Sequence, residues 1–168
     1  MANTAVHTIA PSHVIEGEIT ARGRRVAIAA ARFNDFIVSS LLEGATGAWR
    51  SQGGAAEDLL IARVPGAFEL PVAARKLAVS GRFEAVVALG CVIRGDTPHF
   101  DYVAGECARG LTLAALETGV PVVFGVLTVN TTEQALERAA INGMNKGGEA
   151  LETALEMASL FQRLEQRP

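Results

Sequence analysis

Between Arg94 and His99 the chain reads Arg-Gly-Asp-Thr-Pro-His, bringing a guanidinium, a flexible backbone, a carboxylate, a hydroxyl and an imidazole into six positions. Imidazoles as a class titrate near neutrality and can move protons in either direction. Backbone N–H groups at Gly95, Asp96 and Thr97, just ahead of an Ala/Leu-rich stretch, can face a phosphate as helix N-termini do. A plain polar turn is the commoner origin of such a run, and Asp96 repels an anion unless its carboxylate points away. His99 is the only histidine outside the N-terminal stretch. Position alone divides evenly between proton transfer and local hydrogen bonding, and a neighbouring anion site favours the first. No second His, Cys or carboxylate stands at metal-ligand spacing from it, so no catalytic zinc is expected.

The other candidates are weaker singly. Arg94 and Arg138 are available as anion partners, although an isolated arginine more often forms a surface ion pair. Glu69 follows Pro65-Gly66-Ala67-Phe68. It suits a polyhydroxyl ligand, and equally a first-turn helix position. Phe33, Phe68 and Phe124 can stack on a planar ring, but lone aromatics are more often core. Cys91 falls in an apolar run and is expected to be a buried, inert thiol. No G-x-G-x-x-G, G-x-x-x-x-G-K-[ST] or G-x-S-x-G occurs, which removes the commonest nucleotide and hydrolase signatures. Residue by residue, the chain points to a phosphate-bearing small molecule and one acid/base group.

These residues need a frame. Ala85–Ile93 is apolar throughout, small or β-branched, and too short for a typical helix, the pattern of a strand buried on both faces. Tyr102–Thr118 reads as the helix after it. Further strands are expected at Arg25–Ala31, Leu59–Val64 and Pro121–Leu127. A helical face of Ile37, Leu41, Ala45, Ala48 and Trp49 follows the first strand. Glu69–Val79 forms another helix, with Pro71 tolerable only in its first turn. Thr131-Thr132-Glu133-Gln134 is a capping box opening a further helix. A closing helix carries Leu151, Ala154, Leu155, Ala158 and Phe161. Strand–helix alternation of this kind predicts a parallel sheet covered by helices on both faces. The loops at Phe33-Asn34, Gly66–Glu69, Arg94–His99 and Thr128–Thr131 should then meet at one sheet edge. His13–Ile19 is expected as a short N-terminal edge strand, weakened by Gly17. Residues 1–12 read as a mobile arm and 13–168 as a single domain.

Composition narrows the partners. AVILMFWYC residues make up 49% of the 168, with 17 glycines besides. Together these exceed the roughly 45–50% usual for apolar residues and glycine, which suggests surface buried between subunits. A net charge of -3 argues against a nucleic-acid partner, and Arg22-Gly-Arg24-Arg25 is a short solvated loop. No run reaches the ~18 apolar residues of a membrane span. The N-terminus lacks a secretory pattern, and two cysteines are no disulfide framework. The expected location is the cytoplasm.

Taken in order, five segments resemble the 6,7-dimethyl-8-ribityllumazine synthase family. They are Ala31-Arg32-Phe33-Asn34, Val64-Pro65-Gly66-Ala67-Phe68-Glu69-Leu70-Pro71, Ala88–Phe100 with its Val92-Ile93-Arg94-Gly95-Asp96-Thr97-Pro98-His99 centre, Phe124–Thr128, and Glu133–Ala139 with Asn145-Lys146-Gly147. The resemblance implies a flavodoxin-like three-layer α/β/α sandwich around four parallel strands. It also implies condensation of 5-amino-6-(D-ribitylamino)uracil with 3,4-dihydroxy-2-butanone 4-phosphate, through an imine, loss of phosphate and ring closure with loss of water, without metal or organic cofactor. By motif, His99 is the general acid/base. Phe33 stacks on the pyrimidine, and Ala67, Phe68 and Glu69 line the ribityl site. Cys91, Val92 and Ile93 meet the pyrimidine edge through backbone groups, and Phe124 contributes from an adjacent subunit. Asp96 and Thr97 form the phosphate cradle, with Arg138, also from the adjacent subunit, as countercharge and Lys146 as neighbour. The family's pentamers, some assembled twelvefold into icosahedral shells, are implied as well, with an association with riboflavin synthase. Two positions depart from the pattern: Cys91 stands where threonine is common, and Ala140-Ile-Asn-Gly-Met144 replaces a Gly-Thr-Lys-x-Gly run. A lumazine- or flavin-binding assembly protein without turnover, and a flavodoxin-like redox carrier, are the alternatives from other classes.

Overall fold

The structure, a computed structural model, describes residues 14–166. In chain order the elements are β1 (Val26–Ala31), α1 (Asp35–Ser51), β2 (Leu59–Val64), α2 (Leu70–Ala78), β3 (Ala85–Ile93), α3 (His99–Thr118), β4 (Val122–Val129), α4 (Thr132–Ala139) and α5 (Lys146–Glu165). All strand pairs are parallel and the sheet order is β2-β1-β3-β4. The chain therefore winds outward in one direction from β1 and in the other from β3. The C-terminal ends of those two central strands, where their connections part to opposite sides, are the place where such a sheet opens a crevice.

Buried residues fall into two layers, one on each side of the sheet. β1, Val-Ala-Ile-Ala-Ala-Ala, has no exposed position. Val26, Ile28 and Ala30 face Ile37, Leu41, Leu151 and Leu155 of α1 and α5. Ala27, Ala29 and Ala31 face Leu70, Ala74 and Leu111 of α2 and α3. Small side chains on that second face let α2 and α3 lie close to the strands. On the first side α5 crosses α1 at contact distance, because Gly147 lies against the Leu41 backbone where a Cβ would sit 2.0 Å from the carbonyl oxygen. Trp49 ends α1 buried, its Nε1–H donating to Ala55 O at 2.9 Å.

The helix start expected at Thr131 is present, with the reciprocal bond of the capping box shifted to the residue before the N-cap. Thr131 Oγ1 accepts from Gln134 N at 3.2 Å, and the Gln134 side-chain oxygen accepts from Asn130 N at 2.8 Å. Helix α3 starts at His99, three residues before the expected start, with Pro98 supplying a preset φ at its N-cap. Pro71 lies in the first turn of α2, where its missing N–H costs nothing.

The short N-terminal edge strand does not form in the described residues. Val14–Ile19 joins no ladder. Its polar groups go to α5 instead: Arg163 donates to Glu16 O at 3.0 Å and pairs with the Glu18 carboxylate. Gly17 lies against the Glu156 carbonyl, closer than any side chain would permit. A loose period-2 pattern makes a strand only beside an open sheet edge, and this segment lies on a helix. The arm assigned to residues 1–12, with His13, falls outside the described residues. No helix in the described residues is long and apolar enough to cross a membrane.

Candidate functional site

Loops leaving β1, β2 and β3 enclose a hollow of about 640 Å³ at the C-terminal edge of the sheet. Phe33, Ala67, Phe68, Glu69, Cys91, Val92, Ile93, Thr97 and His99 all line it. Sequence distances of more than sixty residues thus close into one cavity, because parallel strands deliver their C-terminal loops to the same side.

Each loop is held by identifiable bonds. Arg32 N donates to Val64 O at 2.8 Å and Phe33 N to Pro65 O at 3.0 Å, which hooks the β1 loop onto the end of β2. Asn34 Nδ2 donates to Cys91 O at 2.9 Å, joining the same loop to β3. Phe33 and Phe68 are 71% and 57% exposed. They are not core aromatics; their faces are open to a planar ligand. Ala67 is buried and forms part of the floor. The Cys91 side chain is buried as expected, and desolvation pushes its thiol up to about 11, which keeps it protonated and unreactive.

His99 is the first residue of α3 and is exposed toward the hollow. Pro98 provides no side-chain cap, so first-turn N–H groups remain available to an anion. Thr97 lines the cavity, whereas Asp96 is exposed and does not. Asp96 thus stands outside the hollow that Thr97 and His99 line.

Arg94 takes the ordinary structural role. Its guanidinium pairs with Asp101 at 3.1 Å, donates to Asn130 Oδ1 at 3.2 Å, and lies over the Phe100 ring at 4.1 Å. Together with the Arg94 N bond to Val129 O, these contacts clamp the 94–99 loop between α3 and the β4–α4 connection. The Thr128–Thr131 loop is therefore a neighbour of that loop, as expected, but does not line the 640 Å³ hollow.

Phe124, Arg138 and Lys146 lie elsewhere. They line a second hollow of about 420 Å³ along β4, with Glu149 and Thr153. β4 is the edge strand on that side of the sheet, and Phe124 is partly exposed from it. Arg138 donates to Gln134 O at 3.1 Å and has Glu137 no nearer than 3.9 Å; Lys146 pairs with Glu149. Within one protomer, then, the imidazole and the proposed countercharge line different cavities.

A family model of 6,7-dimethyl-8-ribityllumazine synthase matches residues 23–162. A protein of Syntrophus aciditrophicus (strain SB) named 6,7-dimethyl-8-ribityllumazine synthase is 54% identical over 151 residues, covering 90% of this chain and 98% of that protein. The chain belongs to the 6,7-dimethyl-8-ribityllumazine synthase family. It is accordingly a transferase of riboflavin biosynthesis, on the family's flavodoxin-like α/β fold. The matched span runs from before β1 to the last turn of α5 and includes every lining residue of both hollows named above.

The hollow is also lined by Asn34, Pro65, Phe100, Tyr102 and Val103, to which the sequence assigns no individual role. Tyr102 was discoverable. Once α3 begins at His99, position i+3 shares its helix face, and Tyr102 is indeed exposed there. Asn34 left a fainter trace, as an asparagine directly ahead of the helical stretch that follows the first strand, a usual N-cap type.

Proposed function

We propose that the condensation of 5-amino-6-(D-ribitylamino)uracil with 3,4-dihydroxy-2-butanone 4-phosphate takes place in the hollow holding His99, completed by the β4 face of a second protomer. The separation of the two half-sites is the observation that carries this reading. One hollow has aromatic faces, a carboxylate and an imidazole but no lysine or arginine among its lining residues; the other has Arg138, Lys146 and an outward-facing Phe124 on an edge strand. A phosphate substrate needs both.

In this arrangement the pyrimidine lies between Phe33 and the backbone of Cys91, Val92 and Ile93, and its ribityl hydroxyls reach Ala67, Phe68 and Glu69. The phosphate rests on the Asp96-Thr97 backbone and the open first turn of α3, facing Arg138 and Lys146 of the partner subunit. The pyrimidine amine attacks the ketone and water leaves to give the imine. Phosphate then departs, its charge held by the guanidinium, and ring closure with loss of a second water gives 6,7-dimethyl-8-ribityllumazine. His99, at the boundary of the two half-sites, accepts and returns the protons these steps require, a contribution of roughly 10²–10⁴-fold. Holding the two substrates together supplies much of the rest. The chain itself brings the acid/base group and the charges, and no step calls for a metal or an organic cofactor.

We take the assembly to be a pentamer, extended to twelve pentamers in a shell, acting in the cytoplasm and associated with riboflavin synthase as consumer of the product. Exposed Ile61, Val72, Leu113 and Leu116 support burial of apolar surface between protomers, and sedimentation velocity reads the size.

Co-assembly of two variants tests the shared site. Rings made only of His99→Ala or only of Arg138→Ala should turn over slowly. Mixed rings from co-expression should regain about a quarter of wild-type sites, since a head-to-tail interface pairs an intact His99 with an intact Arg138 at that frequency. The readout is fluorescent lumazine together with released phosphate. No recovery in mixed rings would refute the shared site, and a bound yellow ligand without turnover by the wild-type assembly would instead favour a binding protein.

A further inference from the structure

We propose that Asn34 is a positioning residue of this site, fixing Phe33 against the end of β3 through its side-chain amide. The inference rests on the assignment of the site given above. Asparagine at a helix N-cap ordinarily accepts a hydrogen bond from an N–H of its own first turn. Asn34 is the N-cap of α1 and makes no such bond. Its Nδ2 crosses to Cys91 O instead, at 2.9 Å. The β1–β3 ladder ends at Ala30 and Leu89, while β3 runs on to Ile93. Asn34 thus supplies β3 with a donor beyond the last pair that β1 can make.

The consequence falls on Phe33. With its ring 71% exposed, core packing does little to place it, and its position is set by the backbone on either side. On the β2 side the anchors are the Arg32 and Phe33 N–H groups, which almost any residue types would provide. On the β3 side the anchor is the Asn34 amide, and that bond depends on residue identity. The backbone at Asn34 has φ 59 and ψ 44, a left-handed conformation that asparagine and glycine adopt readily and β-branched residues do not. Side-chain donor and backbone preference together select asparagine here.

Steady-state kinetics on the assembled protein separates positioning from general stability. Asn34→Gly keeps the left-handed backbone and removes the donor. It should raise KM for the ribitylaminouracil about fivefold, the fold-change of one net hydrogen bond, and leave KM for the butanone phosphate unchanged. Asn34→Asp keeps the shape but replaces the donor by oxygen. Ionised, that carboxylate repels Cys91 O; protonated, it donates to it. The ratio of its kcat/KM to wild type should therefore climb as pH falls toward 5. The titratable groups around it are the same in both proteins and cancel in the ratio: Cys91, Glu69, His99 and Tyr102 in the hollow, and the Asp35–Arg63 pair between α1 and β2. Equal shifts in both KM values, or a flat ratio, would overturn the inference. Phe33→Ala serves as the control. If it moves the uracil KM while Asn34→Gly does not, only the role of Asn34 fails; if it too moves nothing, the site assignment fails with it.

Discussion

Gly147→Ala is the sharpest test of how α5 is seated on α1. Gly147 follows Lys146 in the first turn of α5, and an added Cβ would meet Leu41 O at 2.0 Å, Leu41 C at 2.7 Å and Leu41 Cα at 2.8 Å. All three obstacles are backbone of α1, so no rotamer change relieves them. For ordinary contact α5 must move from α1 by roughly 1 Å or more, and the displacement is felt by Leu41, Leu151, Ala154 and Leu155, all fully buried. Overpacking of this kind costs about 1–3 kcal/mol, and backbone obstacles place it at the upper end. Alanine's helix propensity returns at most about 1 kcal/mol. A net loss of about 2 kcal/mol lowers Tm by roughly 4–8 °C for a chain of this size. Gly47→Ala is the matched control: it also lies within a helix, and its Cβ would have nothing within 4 Å. That variant should gain up to about 1 kcal/mol and melt a few degrees higher. Far-UV circular dichroism at one fixed protein concentration reads both. If Gly147→Ala melts at or above wild type, the reasoning from the α1–α5 crossing is wrong.

Arg138→Ala should raise KM for the butanone phosphate by roughly 10–100-fold, the scale of a charge-assisted contact, with little change in KM for the ribitylaminouracil. Arg138→Lys should recover part of the loss, and unaltered kinetics across the ketone concentration range would remove the guanidinium from the site. Burial pushes the Cys91 and Cys107 thiols up from 9.0 to about 11. In the unfolded chain they lose protons from about pH 9, whereas the folded protein keeps them, so their stabilisation is complete below pH 9 and is lost as pH rises from 9 to 11. Each thiol contributes at most about 1.4 kcal/mol per pH unit to that decline. Denaturant midpoints at pH 8, 9.5 and 11 should fall less steeply for the double variant Cys91→Ala, Cys107→Ala than for wild type; parallel slopes would contradict this.

Much of the frame was legible along the chain because the relevant physics is local. A short, uninterrupted apolar run at Ala85–Ile93 between turn residues fits a doubly covered strand, and a hydroxyl at Thr131 with an amide at Gln134, placed just ahead of a helical stretch, marks a helix start. Parallel connectivity then gathers Phe33, Phe68, Cys91 and His99 at one edge by geometry alone. Other properties depend on what lies opposite a residue. Nothing near Phe33 or Phe68 in sequence tells whether the rings are core or open, since that depends on which surfaces fail to cover them. Arg94 and Arg138 look alike as free cations, yet folding turns the first onto Asp101, Asn130 and Phe100 and leaves the second along an outer strand. Val14–Ile19 alternates like a strand, but a ladder needs an exposed edge beside it, and contacts with Arg163 and Glu156 place it on α5. Residue order determined the elements and the chemistry they carry; which groups share a cavity was decided only by three-dimensional packing, because hydrogen bonds and charges act over a few ångströms of space, however far apart their residues stand in the chain.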